Sequence, residues 1–386
     1  MKHIAVYIWD ILYRFGGTES YTANLLYALQ ELYPDADITV ITELHPGTYK
    51  PSTEAFVHRL NTAYGIHIRT NHISLSFFRS PSYKNKLQYL RFVYTLKQRT
   101  KPFDLFIYCS RGLYSGRAKK NIAIVHFPTE PKMVQSFSRR YPILKRFAQK
   151  TDREYLTSYC CFLPNSQFTA AWLTTMWHID NNKITVLYPP VTPISIAKKP
   201  KTNTILICSR IEQSKKIEVL IKAYLSSPFL TQQYKLIIAG AAYTETQTYA
   251  AQLQRIAEHI RFFFNPDRQT LEQLYANATF FWHAKGFGID ENSSPYELEH
   301  FGITTVEAMS AGCIPIVINK GGQKEIVDDT CGRRWNTIEE LVSYTEQIAR
   351  NQELLQTLSQ QAVQKSRNFS YENFKQRLQC ILDSKL

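Results

Sequence analysis

Several common sequence signals are missing from this chain of 386 residues. It has seven cysteines, an odd number, and no Cys-x-x-Cys pair, so neither a disulfide framework nor a zinc site is expected. We expect reduced thiols in a cytosolic protein, with buried thiols at the adjacent Cys160 and Cys161. No apolar run approaches the ~18 residues of a membrane span. The N-terminal apolar run, residues 4–9, is too short for a signal peptide and is read as a strand.

Acidic residues are scarce relative to basic ones. The chain has 32 Asp and Glu against 46 Lys and Arg, a formal net charge of +14. This excess favours an anionic partner, which could be nucleic acid, a phosphate-bearing small molecule or an anionic membrane surface. Hydrophobic residues make up 44% of the chain, enough for ordinary buried cores.

Short apolar segments alternate with helical patterns along the chain, which predicts mostly parallel sheets covered on both faces. The predicted strands are residues 4–9, 37–42, 103–109, 121–126, 160–163, 204–208, 234–239, 260–264, 279–283 and 314–318. Prolines and lysines in residues 187–201 predict a linker. We therefore expect an α/β protein with two doubly wound domains, residues 1–190 and 191–367. The amphipathic helix 368–386 is expected to pack back on the first domain. A cleft between the domains is the expected active site.

Glycines between the first strand and its helix form the first candidate motif, Gly16-Gly17-Thr18-Glu19. Glycines allow a ligand to approach the backbone, and a helix N-terminus offers free N–H groups to an anion. The alternative is a tight turn that needs positive φ. There is no Gly-x-Gly-x-x-Gly and no Walker lysine, which counts against nicotinamide cofactors and P-loop chemistry.

Two more motifs lie in the second half. Residues 209–216, Ser-Arg-Ile-Glu-Gln-Ser-Lys-Lys, follow a strand, where Arg210 and Lys215 could converge on a diphosphate or form a solvated basic loop. Residues 299–307, Glu-His-Phe-Gly-Ile-Thr-Thr-Val-Glu, read as a loop entering a helix. Carboxylates accept hydrogen bonds from the vicinal diols of sugars and ribose. Favourable interaction with the helix dipole would explain one of these glutamates but not the whole string.

In this order the motifs resemble the GT-B glycosyltransferases of the large retaining family 4. Asn165-Ser166-Gln167-Phe168-Thr169 and the later Val186-Leu187-Tyr188-Pro189-Pro190 add to the resemblance, which covers nearly the whole chain. A weaker resemblance is to the lipid-linked-oligosaccharide mannosyltransferases, carried by Trp282-His283, by residues 299–307 and by His126-Phe127-Pro128-Thr129. The fold implied is GT-B, two Rossmann-like domains facing across a cleft, and the activity implied is transfer of a hexose.

The resemblance implies roles for residues of the second domain. Arg210 and Lys215 would neutralise the donor diphosphate as the sugar leaves. Lys216 stands where the family usually has glycine, so either lysine could contact phosphate. Glu299 would bind hydroxyls of the donor sugar and Glu307 the nucleotide ribose. Backbone N–H groups would contact the sugar or the diphosphate, namely those of Phe301, Gly302 and Ile303.

In the first domain the resemblance implies that His126, at a strand end, contacts the transferred sugar; a core histidine is the alternative. Gly16 and Gly17 would approach the diphosphate or the acceptor. Residues 284–298 lengthen the connection before Glu299 and would shape the sugar pocket or form a surface loop. Retaining members are thought to transfer on one face of the sugar, with the departing diphosphate taking the proton. No Asp-x-Asp motif follows a strand, so we expect neither a metal nor another cofactor.

The basic excess is concentrated in two aromatic-rich stretches, residues 77–101 and 137–150. They suit anionic lipid headgroups and a glycan or polyprenyl-diphosphate-linked acceptor, or else form a solvated face over buried aromatics. No nucleic-acid motif accompanies them, so no nucleic-acid partner is expected. We predict a cytoplasmic protein, peripheral on the inner face of the membrane.

GDP-mannose is the first donor expected, and a UDP-sugar or dTDP-rhamnose transferase of cell-surface polysaccharide synthesis is the alternative. A phosphorylase-like enzyme and a non-catalytic nucleotide-sugar or nucleic-acid-binding protein on the same fold are the other readings. A phosphorylase-like enzyme would need a pyridoxal lysine or a phosphate-acceptor signature, and this chain shows neither. A non-catalytic protein should have lost Arg210, Lys215 or Glu307, and all three are present.

Overall fold

A computed structural model of the chain describes residues 1–9, 11–13, 16–45, 47–79, 86–110, 114–129, 154–194, 201–256 and 260–385. The chain forms two compact units. The first is Met1–Pro189 with Phe374–Leu386, and the second is Pro190–Asn373. The predicted basic stretch 137–150 and residues 80–85 lie outside the described residues.

The first unit is built on a six-stranded parallel sheet in the order β3-β2-β1-β4-β5-β6. Its strands are β1 (His3–Tyr7), β2 (Asp37–Leu44), β3 (Ile73–Arg79), β4 (Leu105–Tyr108), β5 (Lys120–Val125) and β6 (Cys161–Pro164). Its helices are α1 (Gly17–Leu32), α2 (Thr53–Tyr64), α3 (Lys86–Thr100), α4 (Gln167–Trp177) and the last helix of the chain, α13 (Tyr371–Lys385). Central strands such as β4 are buried at every residue because helices cover both faces of the sheet.

The second unit repeats this architecture with the order β12-β11-β10-β7-β8-β9. Its strands are β7 (Thr202–Cys208), β8 (Lys235–Gly240), β9 (Arg261–Phe264), β10 (Ala278–His283), β11 (Ile314–Ile318) and β12 (Arg333–Trp335). Its helices are α5 (Ile217–Leu225), α6 (Pro228–Gln233), α7 (Gln247–Ile256), α8 (Arg268–Asn277), α9 (Ile303–Ser310), α10 (Gln323–Ile326), α11 (Ile338–Ala349) and α12 (Gln352–Ser366). In each sheet the strand order reverses beside the first strand, which is the switch point where doubly wound folds bind ligands.

All ten predicted strands occur, and the predicted α/β fold with two Rossmann-like sheets is confirmed. The sequence pattern gave no sign of β3 and β12. β3 is an edge strand whose residues are mostly only partly buried, and β12 has three residues, too few for a periodicity. The C-terminal helix begins at Tyr371 instead of residue 368 and belongs to the first unit.

The seven cysteines all lie in the described part of the chain and none is in a disulfide. Cys161 is buried as expected, whereas Cys160 is only half-buried. Among the described residues, none of the helices has the length and apolar character needed to cross a membrane.

A close backbone approach fixes the loop that follows β7. Gly240 ends β8 with φ of 157°, and a Cβ atom there would lie 1.6 Å from the carbonyl oxygen of Ser209. Since Ser209 precedes Arg210, a side chain at Gly240 would displace the start of the predicted diphosphate loop.

We predict that Gly240→Ala destabilises the protein by more than about 4 kcal/mol, because backbone must move to admit the methyl group. Gly288→Ala is the matched control: its φ is 76° but no atom lies within 4 Å of the new Cβ. Strain alone costs on the order of 1 kcal/mol there. Urea unfolding of both variants measures the difference, and equal losses would contradict the predicted clash.

Candidate functional site

The second unit brings three of the predicted residues, Arg210, Lys215 and Glu299, to the carboxyl ends of neighbouring strands β7 and β10. Arg210 follows β7 by two residues, and Lys215 closes a 3₁₀ turn, Gln213–Lys215. Lys216, next along, has φ of 56°, the left-handed conformation that glycine adopts without strain. This accounts physically for the glycine that the family resemblance leads one to expect at that position.

Glu299 is surrounded by nitrogen atoms. Its Oε2 lies 2.6 Å from Lys215 Nζ, 3.5 Å from His283 Nε2 and 4.0 Å from Lys285 Nζ. We call these four residues the Glu299 cluster. The side chains of Lys215, Lys285 and Glu299 are 12%, 14% and 21% exposed, so the cluster is mostly but not fully closed to solvent. Arg210 lies nearby and pairs with Glu212 at 3.2 Å.

The cluster sets the protonation state of its members. Burial acts to raise the pKa of Glu299, but the positive charges of Lys215 and Lys285 outweigh it and hold that pKa well below its ordinary value. Burial lowers the pKa of His283 although Glu299 opposes this, so the imidazole is neutral near pH 7. Burial likewise lowers the pKa of Lys285. The arrangement is therefore an ionised carboxylate held by lysines.

The loop from Glu299 to α9 is fixed by a second turn packed against it. Gly322 N donates to Glu299 O at 2.8 Å. The buried Gln323 donates from Nε2 to Phe301 O at 3.3 Å and accepts from Thr305 Oγ1 at 3.0 Å. Gly302, with φ of 128°, begins α9 without a side-chain cap, and a Cβ there would come 2.3 Å from Gln323 Nε2. Because the first N–H groups of a helix have no intrahelical acceptor, this end of α9 is suited to an anion.

Glu307 lies one turn into α9 and contacts α8. Its Oε1 is 3.3 Å from Arg268 Nη1, and its Oε2 accepts from the hydroxyl of Tyr275 at 3.1 Å. Burial raises the pKa of Glu307, and Arg268 counteracts this only in part. Lys201 secures the end of α8 by donating to the carbonyls of Tyr275, Ala276 and Ala278 at 3.2, 3.2 and 2.8 Å. The helix that holds Glu307 in place is thus itself capped by a half-buried ammonium group.

The remaining predicted residues belong to the first unit. Gly16 precedes α1 in an extended conformation, φ −167°, so the tight-turn alternative with positive φ is wrong for it. A Cβ at Gly16 would meet only the end of the Glu19 side chain, at 2.9 Å. Gly17 is the first residue of α1. His126 follows β5, is half-buried, and packs edge-on against Tyr21 of α1 with ring centroids 5.4 Å apart.

Four residues that contact the predicted carboxylates had no role assigned from the sequence. His283 and Lys285 end and follow β10, so the convergence of strand ends could have indicated them. Arg268 and Tyr275 are seven residues apart and share a face of α8, but nothing in the sequence ties that face to Glu307. The described residues contain no group of three or more His, Cys, Asp or Glu side chains placed to hold a metal ion.

Known proteins resemble both halves of the chain. The family model described as Glycosyltransferase Family 4 matches residues 15–193, and that described as Glycosyl transferases group 1 matches residues 192–365. A GDP-Man:Man(3)GlcNAc(2)-PP-Dol alpha-1,2-mannosyltransferase of Dictyostelium discoideum is 23% identical over 298 residues, 70% of this chain and 54% of that protein. An alpha-1,3/1,6-mannosyltransferase of Homo sapiens is 27% identical over 247 residues, 55% of this chain and 54% of that protein. The match thus spans about half the length of these relatives.

Among solved structures, Anabaena HepE in complex with UDP superposes with a TM-score of 0.69 at 18% identity and covers 100% of both chains. At that identity the likeness concerns the fold. With both family models in succession along one chain and this fold, the chain belongs to the family 4 (group 1) glycosyltransferases of the GT-B fold.

Proposed function

We propose that the chain is a retaining glycosyltransferase that moves a hexose from a nucleotide sugar to a glycan or lipid-linked acceptor. The observation that carries the proposal is the Lys215–Glu299 ion pair, 2.6 Å, beside the uncapped start of α9. It combines a cation for a diphosphate with an ionised acceptor for sugar hydroxyls. Such a pairing suits a nucleotide sugar, in which the diphosphate and the sugar are joined by one bond.

In the proposed reaction the bond between the anomeric carbon and the diphosphate breaks, and negative charge develops on the diphosphate. Arg210, Lys215 and the N–H groups at Phe301, Gly302 and Ile303 stabilise this charge. The acceptor hydroxyl adds to the anomeric carbon from the same face, and its proton passes to the departing diphosphate. We expect no metal, because basic side chains already supply the charge that a metal would contribute.

Two carboxylates then have different tasks. Glu299, held ionised by Lys215 and Lys285, accepts hydrogen bonds from the sugar hydroxyls. Glu307, fixed by Arg268 and Tyr275, accepts from the ribose hydroxyls. In the first unit, His126 contacts the transferred sugar, and the backbone at Gly16 and Gly17 approaches the diphosphate or the acceptor.

For the donor we favour GDP-mannose, because both relatives are named as mannosyltransferases and one of the names includes GDP-Man. The alternative is a UDP-sugar, supported by the UDP bound to Anabaena HepE, or dTDP-rhamnose in cell-surface polysaccharide synthesis.

The donor can be identified with a panel of nucleotide sugars. We expect GDP-mannose to raise the melting temperature of the protein most and to be hydrolysed fastest without acceptor, whereas UDP-glucose and dTDP-rhamnose have smaller effects. A larger stabilisation by UDP-glucose, matched by faster hydrolysis, would replace GDP-mannose with a UDP-sugar as the donor.

Transfer should depend on both cations of the diphosphate loop. We expect Arg210→Ala combined with Lys215→Ala to lower kcat by a factor of about 10² or more, since charge on the leaving group loses its stabilisation. Lys235→Ala, an exposed change at the amino end of β8 and so at the opposite sheet edge, is the matched control and should keep its activity. Turnover by the double variant at the wild-type rate would rule out the diphosphate role.

We also propose a peripheral location at an anionic membrane surface on the cytoplasmic side. In α3, Arg91 and Tyr94 are exposed while Phe92 is buried, so the outer side of this helix presents one basic and one aromatic side chain to solvent. Lys97 takes no part in that face because it is buried in an ion pair with Glu154 at 2.7 Å.

Vesicle flotation tests the membrane proposal. The wild-type protein should float with vesicles that contain anionic phosphatidylglycerol but not with neutral phosphatidylcholine, and 1 M salt should release it because surface charges are then screened. Arg91→Glu with Tyr94→Ser should reduce flotation severalfold. Equal binding to both kinds of vesicle would contradict an electrostatic attachment.

A further inference from the structure

The surroundings of Glu299 hold more positive charge than the ion pair alone requires. Three cations, Arg210, Lys215 and Lys285, lie together with two carboxylates, Glu212 and Glu299. Burial lowers the pKa of Lys285, and the positive charges of Lys215 and Arg210 lower it further. A third cation in such a place needs a reason beyond surface solubility.

The proposed function makes contradictory demands on the 2.6 Å pair. Lys215 has to face the diphosphate, and Glu299 has to accept hydrogen bonds from the sugar, yet in the structure the two side chains engage each other. If Lys215 turns to the diphosphate, the carboxylate of Glu299 remains ionised in a mostly buried place. An unpaired buried charge is strongly unfavourable, so another cation has to replace Lys215.

The neighbours of Glu299 differ in their ability to replace Lys215 as its partner. His283 is close, 3.5 Å, but burial keeps it neutral near pH 7. Arg210 is engaged by Glu212 at 3.2 Å. Lys285 Nζ is already 4.0 Å from Glu299 Oε2, the atom that Lys215 contacts, and Lys285 belongs to a different segment of the chain.

We propose that Lys285 is a positioning residue that takes over Glu299 when Lys215 turns to the donor diphosphate. The proposal rests on the proposed function of the site. It makes the two lysines successive partners of one carboxylate: Lys215 before the donor binds, Lys285 while the sugar is held. Glu299 then stays ionised and oriented toward the sugar while the donor binds and reacts, without a metal ion to compensate the charge.

The segment that carries Lys285, residues 284–298, is anchored well enough for this task. Its two ends, Ala284 and Leu298, are buried. The ring of Phe287 packs on Trp335 with centroids 5.4 Å apart, and Glu291 pairs with Lys324 at 2.9 Å. These contacts hold Lys285 at a defined place beside the site.

The test compares Lys285→Met with Lys285→Arg, and Lys324→Met serves as the matched control because it breaks the ion pair to the same segment without touching Glu299. Steady-state rates are measured from pH 5.5 to 8.5 with GDP-mannose and, separately, UDP-glucose. Lys215, Lys285, His283, Arg210 and Glu212 are the titratable or charged groups that face Glu299 or its lysines.

The expected change follows from the sign of the interaction. A neighbouring cation lowers the pKa of a carboxyl group, so removing Lys285 raises the pKa of Glu299 in the donor complex. The profile of kcat, which reports the complex, should lose activity on its acid side: roughly tenfold at pH 6, with recovery toward pH 8 and KM changed less than about threefold. Lys285→Arg should restore the wild-type profile, and Lys324→Met should keep it.

A readout independent of turnover is the ¹³C resonance of the Glu299 carboxyl group in the GDP-bound or UDP-bound protein, assigned with Glu299→Gln. Its titration should move to higher pH in Lys285→Met. An unmoved titration, or a loss of kcat equal at every pH, overturns the role of Lys285 while leaving the proposed function intact. Failure of the wild-type protein to bind or use either nucleotide sugar overturns both.

Discussion

A carboxylate that is mostly buried beside lysines is the interaction on which the rest of the site depends. Glu299 can remain ionised away from water only if positive charge compensates it. Lys215 and Lys285 provide that charge from two different strand ends, after β7 and after β10. These strands are neighbours in the sheet, because the chain order reverses beside β7. The position of the site is thus a consequence of sheet topology, and its chemistry is a consequence of which side chains stand at the strand ends.

The two glutamates of the 299–307 string are not equivalent. Lysines hold the pKa of Glu299 below its ordinary value, whereas burial leaves the pKa of Glu307 above it in spite of Arg268. One element separates them: the start of α9, fixed by Gln323 against the preceding loop. A spacing of seven intervening residues therefore places one carboxylate among ammonium groups and the other against a helix face. These different surroundings support the proposed division into a sugar-binding and a ribose-binding residue.

The sequence predicted the strands wherever a parallel sheet is buried on both faces, since such strands are continuous apolar runs. It failed at β3, which lies at an edge and is only partly buried, and at β12, which is too short for a pattern. In the site, Arg210, Lys215 and Glu299 were indicated by their places after strands and by the family resemblance. Lys285 was not, because its place after β10 does not by itself show that its side chain reaches Glu299.

The basic excess of the chain is not all available for partners. Lys201 donates hydrogen bonds to three backbone carbonyls at the end of α8, and Arg268 forms ion pairs with Glu307 and Glu272. Lys97 is buried against Glu154. Cations used in this way orient helices and carboxylates and create little field outside the protein. Attraction to an anionic surface must therefore come from exposed residues such as Arg91. A count of charges in the sequence cannot separate these two uses, because the distinction depends on which partner each side chain finds after folding.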